Sequence, residues 1–107
     1  MVNPHRGEVE LVINGTPRAM RLTLGAMAEL ETRLECGSMI ELAERFEAGR
    51  PGAAELMALL EAGLKGAGSA VADAELADAE IEGGAVAALR AGMALLSAAF
   101  RPATADG

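Results

Sequence analysis

Residues 6–31 read "RGEVELVINGTPRAMRLTLGAMAELE", and this stretch decides the fold. Val9, Leu11 and Ile13 alternate with Glu8, Glu10 and Val12, the period of a half-buried strand. Asn14-Gly15 comes directly after them. Both residue types tolerate the positive φ that a two-residue type I′ turn demands, so the pair predicts a β-hairpin. The return strand is expected over residues 16–22, with Met20 and Leu22 on the apolar face and Arg18 leading that face to solvent. Pro17 has no amide to give to a ladder and belongs at a strand start or on an edge. A two-stranded ribbon is barely stable alone. Its apolar face must be covered by the rest of the chain.

The rest of the chain is helical in pattern. Thr23 is placed to cap a helix by accepting from the free amides of the first turn. Leu24, Met27, Leu30 and Leu34 recur at spacings of three and four and predict one inward stripe. Cys36-Gly37 should end this helix, with Gly37 in the left-handed C′ position. Ser38 and Glu41 have the spacing of a capping box and open a second helix, whose inward face is expected to be Ile40, Leu42, Ala43 and Phe46. Gly49 closes it, and Pro51 suits a first helical position. Leu56, Leu59, Leu60 and Leu64 predict a third stripe, running to about Lys65 and broken by "GAGS" at 66–69.

Asp73 is placed to cap a short acidic helix over 74–82, broken by Gly83-Gly84. The last helix, 85–100, is the longest and most apolar, with Val86, Leu89, Met93, Leu96 and Phe100 on the predicted inward side. Gly92 within it costs about 1 kcal/mol relative to Ala, which points to close packing against another helix. Pro102 stops the helix. The expected architecture is α+β, mainly α: an N-terminal β-hairpin followed by four or five helices. Residues 1–101 form a single domain, with 102–107 a disordered tail.

Composition narrows the function. The chain has 107 residues, enough for one domain and a modest core, and a formal net charge of −7. Residues 1–52 hold eight acids against six bases, and residues 53–107 eight against three. That balance argues against nucleic-acid binding, which needs clustered Lys and Arg, and favours a basic partner. Asp73, Glu75, Asp78, Glu80 and Glu82 are the candidate rim for such a contact; the plainer reading of the same residues is a solvated helix face. Two Phe, no Tyr and no Trp leave few aromatic anchors, and the six Met are core filler or adaptable surface. One cysteine fits a reducing compartment. No apolar run of membrane-spanning length and no signal-peptide pattern is visible, so a cytoplasmic protein without membrane contact is expected.

Catalytic constellations do not assemble. A Cys–His pair needs contact and an orienting group, and nothing places His5 beside Cys36. Cys36 is read as a small apolar filler and His5 as exposed. As a calcium loop starting at Asp73, the acidic segment has Ala77 fifth, Asp78 sixth where Gly is required, and Gly84 twelfth where Glu is required. "GLKGAGS" lacks the order of a phosphate-binding loop and lies after a helix rather than a strand. No enzyme activity, cofactor or metal is expected.

A family resemblance then supplies the specific reading. It rests on Arg6-Gly7-Glu8, on Leu22-Thr23-Leu24-Gly25-Ala26 through Ala28-Glu29-Leu30-Glu31, and on Gly63-Leu64 with Gly66-Ala67-Gly68. With "LAERFEAG", "LMALLEAGLKGAG" and the final Ala-Leu-rich helix in order, residues 6–101 resemble the small gene-transfer-agent proteins related to phage tail assembly chaperones, a family also described as phage tail tube proteins. The resemblance implies a cytoplasmic, non-catalytic factor. It would bind the hydrophobic helical segments of the tape-measure protein and help tail tube subunits assemble round it. Partners so implied are the tape-measure protein or a tail tube subunit, with a homo-oligomer as a further expectation. The alternatives are a minor structural, tube-associated tail protein and an unrelated small helical adaptor. Tail tubes are usually β-rich, and this chain offers little strand.

Overall fold

In a computed structural model, the structure describes residues 7–34, 38–49, 52–69 and 76–100. Strands β1 (Val9–Ile13) and β2 (Thr16–Met20) are followed by helices α1 (Leu24–Leu34), α2 (Met39–Glu47), α3 (Ala53–Gly66) and α4 (Gly84–Phe100). The chain is thus α+β and mainly α, as the sequence predicts. The expected ends of these elements at Cys36-Gly37, Pro51, Asp73 and Pro102, together with His5 and the 102–107 tail, lie outside the described residues.

The hairpin turns where Asn14-Gly15 allows it, with φ of 52° and 80°. Val9 pairs with Met20 and Ile13 with Thr16, an antiparallel register that puts Leu11, Ile13 and Met20 in the core. The return strand is shorter than expected. After Met20, the Arg21 amide leaves the ladder and donates to the Gly63 carbonyl at 2.8 Å, tying the strand end to α3. Arg18, opposite Leu11, is half-buried rather than solvent-directed. Pro17 pairs with Val12, whose carbonyl points away from β2 toward the Glu82 amide. The missing amide of Pro17 therefore faces the outer edge of the ribbon, where it costs no ladder bond.

Caps form where the side chains permit. The Thr23 hydroxyl accepts from the Ala26 amide at 3.0 Å, and the Ser38 hydroxyl from the Glu41 amide at 3.2 Å. Helix α3 opens with the Gly52 amide donating to Glu55 Oε1. It closes with Ser69 bonding back to Leu64 and Gly68, at φ 79°, to Lys65, the paired bonds of a Schellman motif. Helices α1 and α3 run antiparallel, tied by Lys65–Glu29 and Arg33–Glu61.

The hairpin lies with β2 on α3 and β1 on α4, and its apolar face is covered there. Two glycines let these layers close. A Cβ on Gly63 would lie 2.8 Å from Leu95 Cδ1 and 3.1 Å from Met20 Cβ. A Cβ on Gly92 would lie 3.0 Å from Leu56 Cδ1 and 3.2 Å from Phe46 Cε2. Gly92 therefore has the close-packing role that its place inside a helix suggested.

Three predicted faces are corrected. In α4 the buried residues are Ala88, Ala91, Gly92, Leu95 and Leu96, while Val86, Met93 and Phe100 are 60%, 41% and 48% exposed. The inward face is thus turned by about one residue, roughly 100°, from the stripe of large side chains. At Gly92 the approach of Leu56 and Leu59 of α3 leaves little room for a larger side chain. In α2 the inward row is Met39, Leu42 and Phe46, with Ala43 half-buried and Ile40 exposed. In α1, Ala26 and Leu30 are buried, while Leu24 stands in solvent at the helix start.

The acidic helix expected over 74–82 is also corrected. Leu76 and Ala77 are helical, but the chain leaves the helix at Asp78. Ile81 then forms an antiparallel bridge with Ile13. The Asn14 amide donates to the Glu80 carbonyl at 2.8 Å, the Glu82 amide to the Val12 carbonyl at 3.1 Å, and the Glu80 amide to Asn14 Oδ1 at 2.8 Å. These bonds extend the ribbon by one short pairing on the far side of β1. Continuing the helix would have left the Val12 carbonyl and the Asn14 amide without these partners.

Candidate interaction surface

The residues that shape an open groove come from α2 and α4. Ala43, Phe46 and Glu47 form one wall, and Met93, Ser97 and Phe100 the other, with Leu96 at the floor. The groove encloses about 700 Å³. It exists because α4 turns its small residues to α3 and leaves its large ones at the edge of the core. Ile40 continues the α2 wall one turn earlier, since residues 40, 43 and 47 share a helix face. Apolar side chains left at solvent in this way mark contact surfaces more often than catalytic ones.

None of the described residues of the sequence-predicted rim lines this groove. Asp73 and Glu75 lie outside the described residues. Asp78, Glu80 and Glu82 are exposed. Glu82 lines a second, shallower groove between β1 and α4 with Val12 and Arg90, and Ala94 borders both grooves. The carboxylates nearest the apolar groove are instead on α2. Glu47 lines it, and Glu44 shares a face with Ile40 and Glu47. The sequence carried the signal for these residues in the spacing of Ile40, Glu44 and Glu47, but the rotation of α2 about its axis had to be known to use it.

Charges elsewhere are tied into the fold. Arg45 of α2 pairs with Glu55 of α3, and Arg33 of α1 reaches Glu61, the one buried charged residue among those described. Among the described residues no group of His, Cys, Asp and Glu could hold a metal ion, and no helix is long and apolar enough to cross a membrane. What the surface can do is seat apolar side chains beside carboxylates.

The sequence pattern of the family described as "phage tail tube protein, GTA-gp10" matches residues 6–102. No curated protein and no solved structure matches the chain. The match takes in every described element, from the hairpin to the end of α4, and so spans both walls of the groove. A hairpin-and-helix chain whose open face is apolar, matched over nearly its whole length, belongs to the phage tail tube protein, GTA-gp10 family.

Proposed function

We infer that the protein is a non-enzymatic assembly factor for a phage-like or gene-transfer-agent tail, acting as a chaperone that binds the tape-measure protein. The observation that carries the reading is the row of large apolar side chains left open along α4 and α2 in a chain of a tail family. Tape-measure proteins present long apolar helical faces before the tube closes round them, and such faces need transient cover. Binding then draws on apolar burial at about 25 cal/mol per Å², less the cost of association. It carries a negative heat-capacity change. The exposed carboxylates Asp78, Glu80 and Glu82 do not line the groove, and with Asp73 and Glu75 of the same segment they act at longer range on basic client segments. They raise the encounter rate at low salt.

The family description favours a second reading, a structural subunit that stays with the tube. Against it stands the strand content: among the described residues, two five-residue strands in one hairpin offer little from which to build a β-rich tube wall. The two readings part on the finished particle. An assembly factor is abundant in the producing cell and absent from purified particles. A fixed copy number in purified tails would overturn the chaperone reading and establish the structural one.

A further inference from the structure

We propose that the groove between α2 and α4 takes one amphipathic helix with a seven-residue apolar repeat and Lys or Arg along the flank that faces α2. This inference rests on the assembly-factor reading for the identity of the client, but not for its chemistry.

The argument starts from the spacing on α4. Val86, Leu89, Met93, Leu96 and Phe100 succeed one another at steps of three and four, the a and d positions of two heptads. A heptad stripe is the seam of a coiled coil, and in most single helices of a globular domain it would be the buried face. Here the core uses another face, built from Ala88, Ala91, Gly92 and Leu95. The a-position residues Val86, Met93 and Phe100 stand outside, and Leu96 is buried at the floor of the groove. The helix thus keeps Val86, Met93 and Phe100 outside, while Leu89 and Leu96, the d positions between them, pack against the core. Of α4, Met93, Ala94, Leu96, Ser97 and Phe100 line the groove, which therefore runs about 10 Å along the helix at 1.5 Å per residue and takes about two turns of a partner helix.

Charge selects the partner. On α2, Glu47 lines the groove and Glu44 is exposed on the same helix face, while the neighbouring cation, Arg45, is engaged by Glu55. Among the described residues, no Lys or Arg lines the groove. The sole cation of α4, Arg90, faces the β1 groove with Glu82. A helix seated on the seam therefore meets carboxylates along its α2 side. A second copy of this chain is a poor occupant, because its own α4 would bring only Arg90 to those carboxylates and its net charge is −7.

The test uses the full chain and three synthetic peptides of about 21 residues, three heptads each. One has Leu at a and d with Lys at the flanking positions. The second has Glu at those flanks. The third has the composition of the first with the heptad scrambled. The Lys-flanked peptide is expected to bind, and the other two at least about tenfold more weakly. Met93→Asp, at an exposed position, is expected to weaken binding about tenfold while leaving the helical circular dichroism and melting unchanged. The double variant Glu44→Lys, Glu47→Lys is expected to reverse the preference between Lys and Glu flanks, which holds the proposal to account even if Met93→Asp fails to fold. Equal binding of the three peptides, or unchanged binding by a folded Met93→Asp, overturns it. So does a wild-type dimer in sedimentation equilibrium that Met93→Asp dissolves. If the tape-measure protein is recovered with the chain but no peptide binds, this inference falls while the assembly-factor reading stands. Peptide binding without recovery of the tape-measure protein gives the reverse.

Discussion

Gly92 of α4 lies so close to Phe46 of α2 that a Cβ added to it would stand 3.2 Å from the ring. Leu56 and Leu59 of α3 close in at 3.0 and 3.2 Å from the same point, so three helices meet on one missing side chain. Helix propensity alone predicts a small gain from replacing this glycine. The packing predicts the opposite. Gly92→Val should lose about 1–3 kcal/mol through overpacking, measured by urea denaturation. Gly66→Ala should cost at least as much, because a Cβ there would overlap the Arg21 carbonyl oxygen, and backbone gives way less readily than a side-chain tip. A Gly66→Ala protein as stable as the wild type would show that α3 does not approach the end of β2 as described.

The turn offers a different kind of glycine. A Cβ on Gly15 would meet nothing within 4 Å, so any cost of Gly15→Val comes from its φ of 80°. The expected loss is about 1–2 kcal/mol, read from the same denaturation curves. Gly15→Asn should lose less, since Asn tolerates positive φ.

The hairpin was legible because Asn14-Gly15 is a local signal: turn chemistry and strand alternation both act within a few residues. The caps at Thr23 and Ser38 were legible for the same reason. The inward faces of α2 and α4 were not, because they are set by how the helices pack on one another. In α4, Ala88, Ala91 and Gly92 are buried by that packing, and a search for large apolar residues passes over them. The segment at Ile81 has the local pattern of a helix because its partner, Ile13, is far away in sequence, and only the fold brings Glu80 and Glu82 to the edge of β1. Of the candidate site, the acidic character was legible, but the α2 carboxylates beside the groove were missed.

The ion pairs Lys65–Glu29 and Arg33–Glu61 join α1 to α3 and should behave differently. Lys65 and Glu29 are both largely exposed, and Lys65→Met should change stability by less than about 0.5 kcal/mol. Glu61 is buried, and Arg33 stands 2.5 Å from its Oε1. Arg33→Met removes that partner from a buried carboxylate and should cost about 1–3 kcal/mol. Thermal melts of the two variants at equal ionic strength compare them directly. Equal losses would mean that burial of Glu61 carries no penalty.

The acidic segment should act on encounter rather than on residence. Changing Asp73, Glu75, Asp78, Glu80 and Glu82 to Asn or Gln should slow association with a basic client and flatten its salt dependence, while dissociation changes little. Stopped-flow association at several salt concentrations measures this. A change confined to the dissociation rate would place these side chains inside the contact instead of outside it.

Co-expression with the tape-measure protein of the same locus tests the central claim most directly. The account predicts that the tape-measure protein is soluble when the two are made together, aggregates when made alone, and is recovered in a complex with this chain. Equal solubility with and without this chain, with no complex recovered, would contradict it.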